Sequence, residues 1–195
     1  MFELHFITKI YHSIIASLLF WFYLARGFVV YGMFSSTCSM LTVMHTIRTG
    51  ITTQDLTIKE LFALSYKKYS TYKLGSFLFT LIILLIYMCL YFVTLKEGLS
   101  SLLLSIILIY LFALVWVVFS FAAYFIVFKK CTLKDSLIYA FITAIKKFFL
   151  SFSLIIVLTA LFYLSQLNLM LFIVSFPALY SFTVLFLLGN IHISR

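Results

Sequence analysis

Metal binding, nucleophilic attack and proton transfer need histidines, cysteines or acids at set spacings. The chain has four histidines, three cysteines and five acids. His5, His12, His45 and His192 stand apart, with no His-x-x-x-His pair and no carboxylate at ligand spacing, so no metal site is expected. Cys38, Cys89 and Cys131 form no Cys-x-x-Cys pair. Cys38 and Cys89 lie in apolar runs and Cys131 beside a lysine pair, which reads as buried free thiols. Glu3, Asp55, Glu60, Glu97 and Asp135 all fall outside the apolar runs, whereas a proton-coupled carrier working alone usually holds an acid within the membrane. There is no glycine-rich phosphate loop and no Ser/His/Asp arrangement. The chain is therefore read as non-enzymatic and without a cofactor.

The cations are the remaining candidates for contact. Arg26, between two apolar runs, is either an anion or substrate contact near the outer surface or a turn residue snorkelling to headgroups. His45, one helical turn before Arg48, is either a pH-sensing or ligand-binding group or a complement to a helix C-terminus. The pairs Lys67-Lys68 and Lys146-Lys147 each follow an amphipathic segment. They either set topology and anchor the chain to anionic headgroups, or form a docking surface for a partner.

The elements that carry these residues are set by composition. The chain is 65% hydrophobic and 10% charged, with a mean hydropathy of +1.22. A soluble domain of 195 residues could not hide that much apolar surface, so lipid must solvate it. The formal net charge of +9 is carried in short gaps between apolar runs, which fits membrane orientation rather than a nucleic-acid groove. The first apolar run is followed by no small-x-small cleavage pattern and reads as an uncleaved span.

One unit occurs twice. Thr57-Ile-Lys-Glu60 and Thr132-Leu-Lys-Asp135 each open an amphipathic segment, then a lysine pair, then a long apolar stretch. Thr-x-x-acid is a helix-start pattern, and the apolar residues behind it recur at helical spacing. The order predicts an all-α integral membrane fold of about six hydrophobic helices in three hairpins, plus two cytoplasmic amphipathic helices, with an internal parallel repeat. As a single membrane domain it divides into an N-terminal hairpin (10–48), copy one (57–131) and copy two (132–195). Within this scheme the helices are expected near 10–25, 30–48, 74–95, 99–128, 149–165 and 169–188, broken first at Arg26-Gly27. Ser35, Ser36, Thr37, Cys38 and Ser39 should face protein, because small hydroxyl residues let helices approach. Pro177 should free a carbonyl one turn earlier.

Orientation follows from basic residues. Lys9, Arg48, Lys59, Lys67, Lys68, Lys73, Lys129, Lys130, Lys134, Lys146, Lys147 and Arg195 fall on one side of this scheme, and only Arg26 and Lys96 on the other. The positive-inside rule then puts both termini and both amphipathic helices in the cytoplasm.

Certain residues resemble a known family. They are Trp21 near the end of the first run, Gly32 ahead of a Ser/Thr-rich helix start, the basic-aromatic stretch from Phe62 to Tyr72, and Phe176-Pro-Ala-Leu-Tyr180. Across residues 10–190 the chain resembles the YesL-like family of small bacterial multi-pass membrane proteins, defined by a domain of unknown function. That family typically has a Pro-x-x-Thr-x-Gly turn, where this chain has Gly27 for the proline and Val30 for the threonine. The resemblance implies a bacterial cell membrane and association with carbohydrate uptake and glycan degradation; it supplies no catalytic residues.

The expected function is a non-enzymatic accessory membrane protein. Its partners would be the bilayer, anionic headgroups and another membrane protein such as a sugar importer, met through small-residue helix faces and the basic surface. The alternative is a small transporter or channel subunit, with a polar seam along Ser35, Ser36, Thr37, Ser39, Thr42 and Arg26.

Overall fold

The computed structural model describes residues 2–50 and 57–189, without the side chains of 2–6 and of Leu167. Asp55, His192 and Arg195, and the side chains of Glu3 and His5, lie outside the described residues. The protein is all-α, with no strand among the described residues. The helices are α1 (Phe2–Arg26), α2 (Met33–Thr49), α3 (Ile58–Tyr69), α4 (Lys73–Thr94), α5 (Leu99–Lys129), α6 (Leu133–Lys146), α7 (Phe148–Leu167) and α8 (Leu169–Leu188), with a 3-10 turn Ser70–Tyr72 between α3 and α4. Five helical stretches are long and apolar enough to cross a membrane: α1, the stretch through α4, α5, α7 and α8. At 17 residues, α2 is not among them.

Local chemistry sets the helix ends. The Thr57 hydroxyl accepts from Glu60 N–H at 3.3 Å, and the Glu60 carboxylate accepts from Thr57 N–H at 2.9 Å, a complete capping box. Thr132 accepts from Asp135 N–H at 3.3 Å in the same way at the start of α6. Gly50 closes α2 in the left-handed region (φ 68°), as its lack of a Cβ permits.

The hairpins α1–α2, α4–α5 and α7–α8 are present, and α2 is the helix the others surround. It touches α1, α3, α4, α5 and α8. Its residues 34–41 are all buried, including the hydroxyl run expected to face protein. Small side chains let neighbours come close where lipid supplies no hydrophobic drive between helices. The hydroxyls bond to carbonyls at hand: Ser39 to Ser35 (2.6 Å), Thr42 to Cys38 (2.9 Å) and Ser35 to Tyr69 (3.1 Å). On the far side Phe119 stacks on Phe79 (4.2 Å, 25°) and tilts against Phe34 (4.6 Å), locking α2, α4 and α5.

Two backbone groups orphaned by local sequence find partners on distant helices. Gly32 has no side chain to cap α2, and Phe34 N–H donates instead to Ser76 Oγ of α4 at 3.0 Å. Pro177 has no N–H for the carbonyl of Ile173, four residues back, and Trp21 Nε1–H of α1 donates to it at 2.8 Å. Helix α8 runs on through Pro177.

The hairpins are staggered rather than level. Ser76 and Thr80 of α4 meet Phe34 and Val30 in turn, so α4 leaves past the start of α2. No residue from 80 to 116 is buried, so the tip of α4–α5 stands clear of the bundle. All three cysteines are free, but only Cys38 is buried. Cys89 is exposed on that hairpin and Cys131 half-buried at the α5–α6 junction, because an apolar stretch in lipid has an outward face.

Trp21→Phe keeps the ring and deletes the donor, leaving the Ile173 carbonyl unpaired, and should lower unfolding stability in detergent by about 1–3 kcal/mol. Pro177→Ala supplies a local N–H, so Trp21→Phe should cost markedly less in that background; a double-mutant cycle of thermal unfolding reads the coupling. Glu60 is held below the ordinary carboxylate range by the Thr57 N–H and hydroxyl. Its contribution is therefore complete above that range and lost as pH falls through the lowered value. The protection of the first-turn amides of α3, measured relative to their intrinsic exchange rates, should fall over that acid window in the wild type and stay constant in Glu60→Gln.

Candidate functional site

The sequence-predicted cations are not gathered into one place, but two of the regions they mark meet. Tyr23 near the end of α1 stacks on the fully buried Phe62 of α3 (5.3 Å, 26°) and lies 4.8 Å from the Tyr66 ring. This contact draws the end of α1 onto α3. The following turn is tight: a Cβ on Gly27 would lie 2.5 Å from Gly32 Cα and 2.9 Å from Tyr66 Oη. Gly27 is thus required for close approach, and the residues turning through the left-handed region are Phe28 (φ 52°) and Val29 (φ 60°). Non-glycine residues held there cost of order 1–3 kcal/mol each, and such strain clusters at ligand clamps.

Between the turn, α3 and the start of α4 is an open cleft of about 690 Å³. Tyr23, Arg26, Gly27, Phe28 and Tyr31 line it from α1 and its turn, Ala63, Tyr66 and Lys67 from α3, Ser70 from the 3-10 turn and Lys73 from α4. Three cations and four hydroxyls line it, and no acid among the described residues does. Burial raises the Tyr66 phenol above its ordinary value, and the positive charge of Arg26 pulls the other way. Ser70 is oriented by its bond to the Lys67 carbonyl (2.7 Å). An arrangement of positive charge and hydroxyl donors without a compensating carboxylate suits an anion.

This placement corrects the orientation count for Arg26. The count put Arg26 across the membrane from Lys67 and Lys73, whereas the three share one cleft. The α1–α2 turn and the α3–α4 junction both sit at the start of α2, which the stagger of the hairpins requires. Lys73, which sequence reasoning used only for orientation, belongs to the cleft, and its sole local signal is its place at the start of an apolar run.

The other candidates lie elsewhere. Lys68 Nζ sits 5.2 Å from the Tyr69 ring centroid. Exposed His45 packs against Phe128 (5.0 Å between centroids), and Arg48 lies 6.0 Å from the Phe182 centroid, so the end of α2 rests on aromatic faces of α5 and α8. Lys146 and Lys147 are exposed at the α6–α7 junction and do not line the cleft. The hydroxyls of the expected seam are separate from Arg26: Ser35, Ser36, Thr37 and Ser39 are buried among helices, and none lines the cleft. The small-residue faces assigned to partner binding are consumed by this chain's own packing. No family model, curated protein or solved structure matches this chain.

Proposed function

We propose that the chain is a non-enzymatic accessory component of a bacterial cell membrane that docks on another membrane protein. The observation that carries this reading is the α4–α5 hairpin. Over residues 80–116 it has no buried residue, and it presents large apolar side chains such as Leu84, Leu103 and Ile107 beyond the bundle. A bundle closed upon α2 on one side, with a bare helical pair projecting on the other, suits a membrane subunit with a lateral contact to make. Lipid-facing helices pair when complementary packing is offered, and most of the outward surface of this hairpin is left uncovered by the rest of the chain. The likeness to the YesL-like family supports a carbohydrate importer as the partner. The lysine-rich ends support an orientation with both amphipathic helices and the C-terminal end of α8 in the cytoplasm; with Arg26 on that same face, a crossing α1 begins on the other.

Purification in mild detergent should recover one stoichiometric membrane partner, and a photo-reactive residue at Leu103 or Ile107 should give a discrete protein adduct of one mass. A chain that purifies alone under several detergents and yields only lipid adducts at both positions would overturn the docking. Cysteine labels introduced at Lys67 and Lys146 should react from the same side of the membrane; opposite sides would overturn the orientation.

A further inference from the structure

We propose that the cleft between the α1–α2 turn and the α3–α4 junction seats the phosphate of an anionic phospholipid, with Arg26, Lys67 and Lys73 as its cationic contacts. This goes beyond the docking reading and is independent of what covers α4–α5.

Three features converge on it. The first is charge: Arg26 from the α1–α2 turn meets Lys67 and Lys73 of the α3–α4 junction, and among the described residues the cleft lining contains no acid to neutralise them. A phosphate oxyanion supplies the missing charge and accepts from the Tyr66 hydroxyl that shares the lining.

The second is depth. Helix α4 has 22 residues from Lys73 to Thr94. At 1.5 Å per residue it rises about 33 Å, close to the roughly 30 Å of a hydrocarbon core. Lys73 thus stands at one boundary of the slab, with Lys96 and Glu97 beyond the other. The α3–α4 rod changes character at that point. Lys67 and Lys68 are exposed before it, and Leu74, 71% exposed, begins the apolar face after it. The cleft therefore lies at headgroup level relative to α4–α5.

The third is the rim. Phe28 is 83% exposed beside the cleft, held there by a backbone in the left-handed region. Tyr31 stacks on Phe77 of α4 (5.8 Å, 13°), forming an aromatic ledge toward the apolar face. A soluble phosphate ester gains nothing from an exposed phenyl ring and a leucine at its binding site. Acyl chains descending from a bound headgroup would cover both, and so lipid is the source of phosphate that the surface fits.

The test uses full-length protein in mild detergent, with lipid retention read by native mass spectrometry after adding phosphatidylglycerol or phosphatidylcholine. One phosphatidylglycerol should be retained in preference to phosphatidylcholine. Arg26→Gln, Lys67→Gln and Lys73→Gln should each weaken retention roughly fivefold, the effect of one cation near an anionic surface. Lys146→Gln/Lys147→Gln should leave it unchanged. Phe28→Ser should weaken retention of the lipid without altering the response to glycerol 3-phosphate, a soluble probe measured by thermal shift. If the Lys146/Lys147 variant loses as much as the cleft variants, attraction is diffuse and the site is overturned. If glycerol 3-phosphate displaces the lipid at equal concentration, the phosphate source is soluble and the lipid assignment is overturned. Should any single variant fail to fold, the remaining single variants carry the same reading.

Discussion

A peptide group facing lipid has no water to bond, so a backbone donor or acceptor freed by the sequence must be met by another part of the protein. That constraint ties this bundle together. Proline at 177 frees the Ile173 carbonyl of α8, and the indole of Trp21 on α1 takes it. Glycine at 32 leaves the start of α2 uncapped, and Ser76 on α4 answers the Phe34 N–H. Neither bond is replaceable by a generic apolar contact, because what each satisfies is a group that lipid cannot solvate. Each also fixes the register of one helix against another at a single residue, which apolar packing alone does loosely.

Around those ties the geometry is set by what α2 lacks. With serines, a threonine and a cysteine where leucines would be ordinary, its backbone is approached from several sides. The hydroxyls of Ser39 and Thr42 turn back to carbonyls one turn earlier and that of Ser35 reaches the Tyr69 carbonyl, while the buried Ser36 hydroxyl has no partner among the described residues. Tyr180 and Ser120 repeat the pattern between α8 and α5: the phenol donates to the serine at 2.8 Å and the serine to the Trp116 carbonyl at 2.8 Å. Polar side chains in this core serve to close it.

Features written in a single stretch of sequence were legible, and features made by meetings between stretches were not. The span over 169–188, the caps at Thr57 and Thr132, the burial of Ser35 to Ser39 and the carbonyl freed by Pro177 follow from local rules of hydropathy, capping and covalent structure. That Trp21 is the donor to that carbonyl does not follow, since 152 positions separate the partners. Arg26 was misplaced for a related reason. Counting charges on alternating turns assumes every hairpin is level with its neighbours, and the meeting of Thr80 with Val30 shows that α4 starts where the α1–α2 turn ends. Lys73 passed unnoticed because a lysine at the start of an apolar run looks the same whether or not an arginine from another hairpin stands beside it.

The two copies of the repeated unit show what makes the cleft. Both open with a threonine cap and end in a lysine pair, so neither feature distinguishes them. They differ in what their amphipathic helices bury. In α3 the buried positions include Phe62 and Tyr69; in α6 they are Ser136, Ala140 and Ala144. Small residues bring α6 flat against its neighbours α5 and α7. The aromatic ring of Phe62 instead meets Tyr23 and holds the end of α1 beside α3, while Gly27 and Gly32 let the turn fold tightly enough for Arg26 to line the same cleft as Lys67. The basic cleft is therefore a property of the junction between the N-terminal hairpin and the first copy, not of the repeat. Loss of the Lys146-Lys147 pair would leave its geometry in place, whereas loss of the Tyr23–Phe62 contact would take it apart.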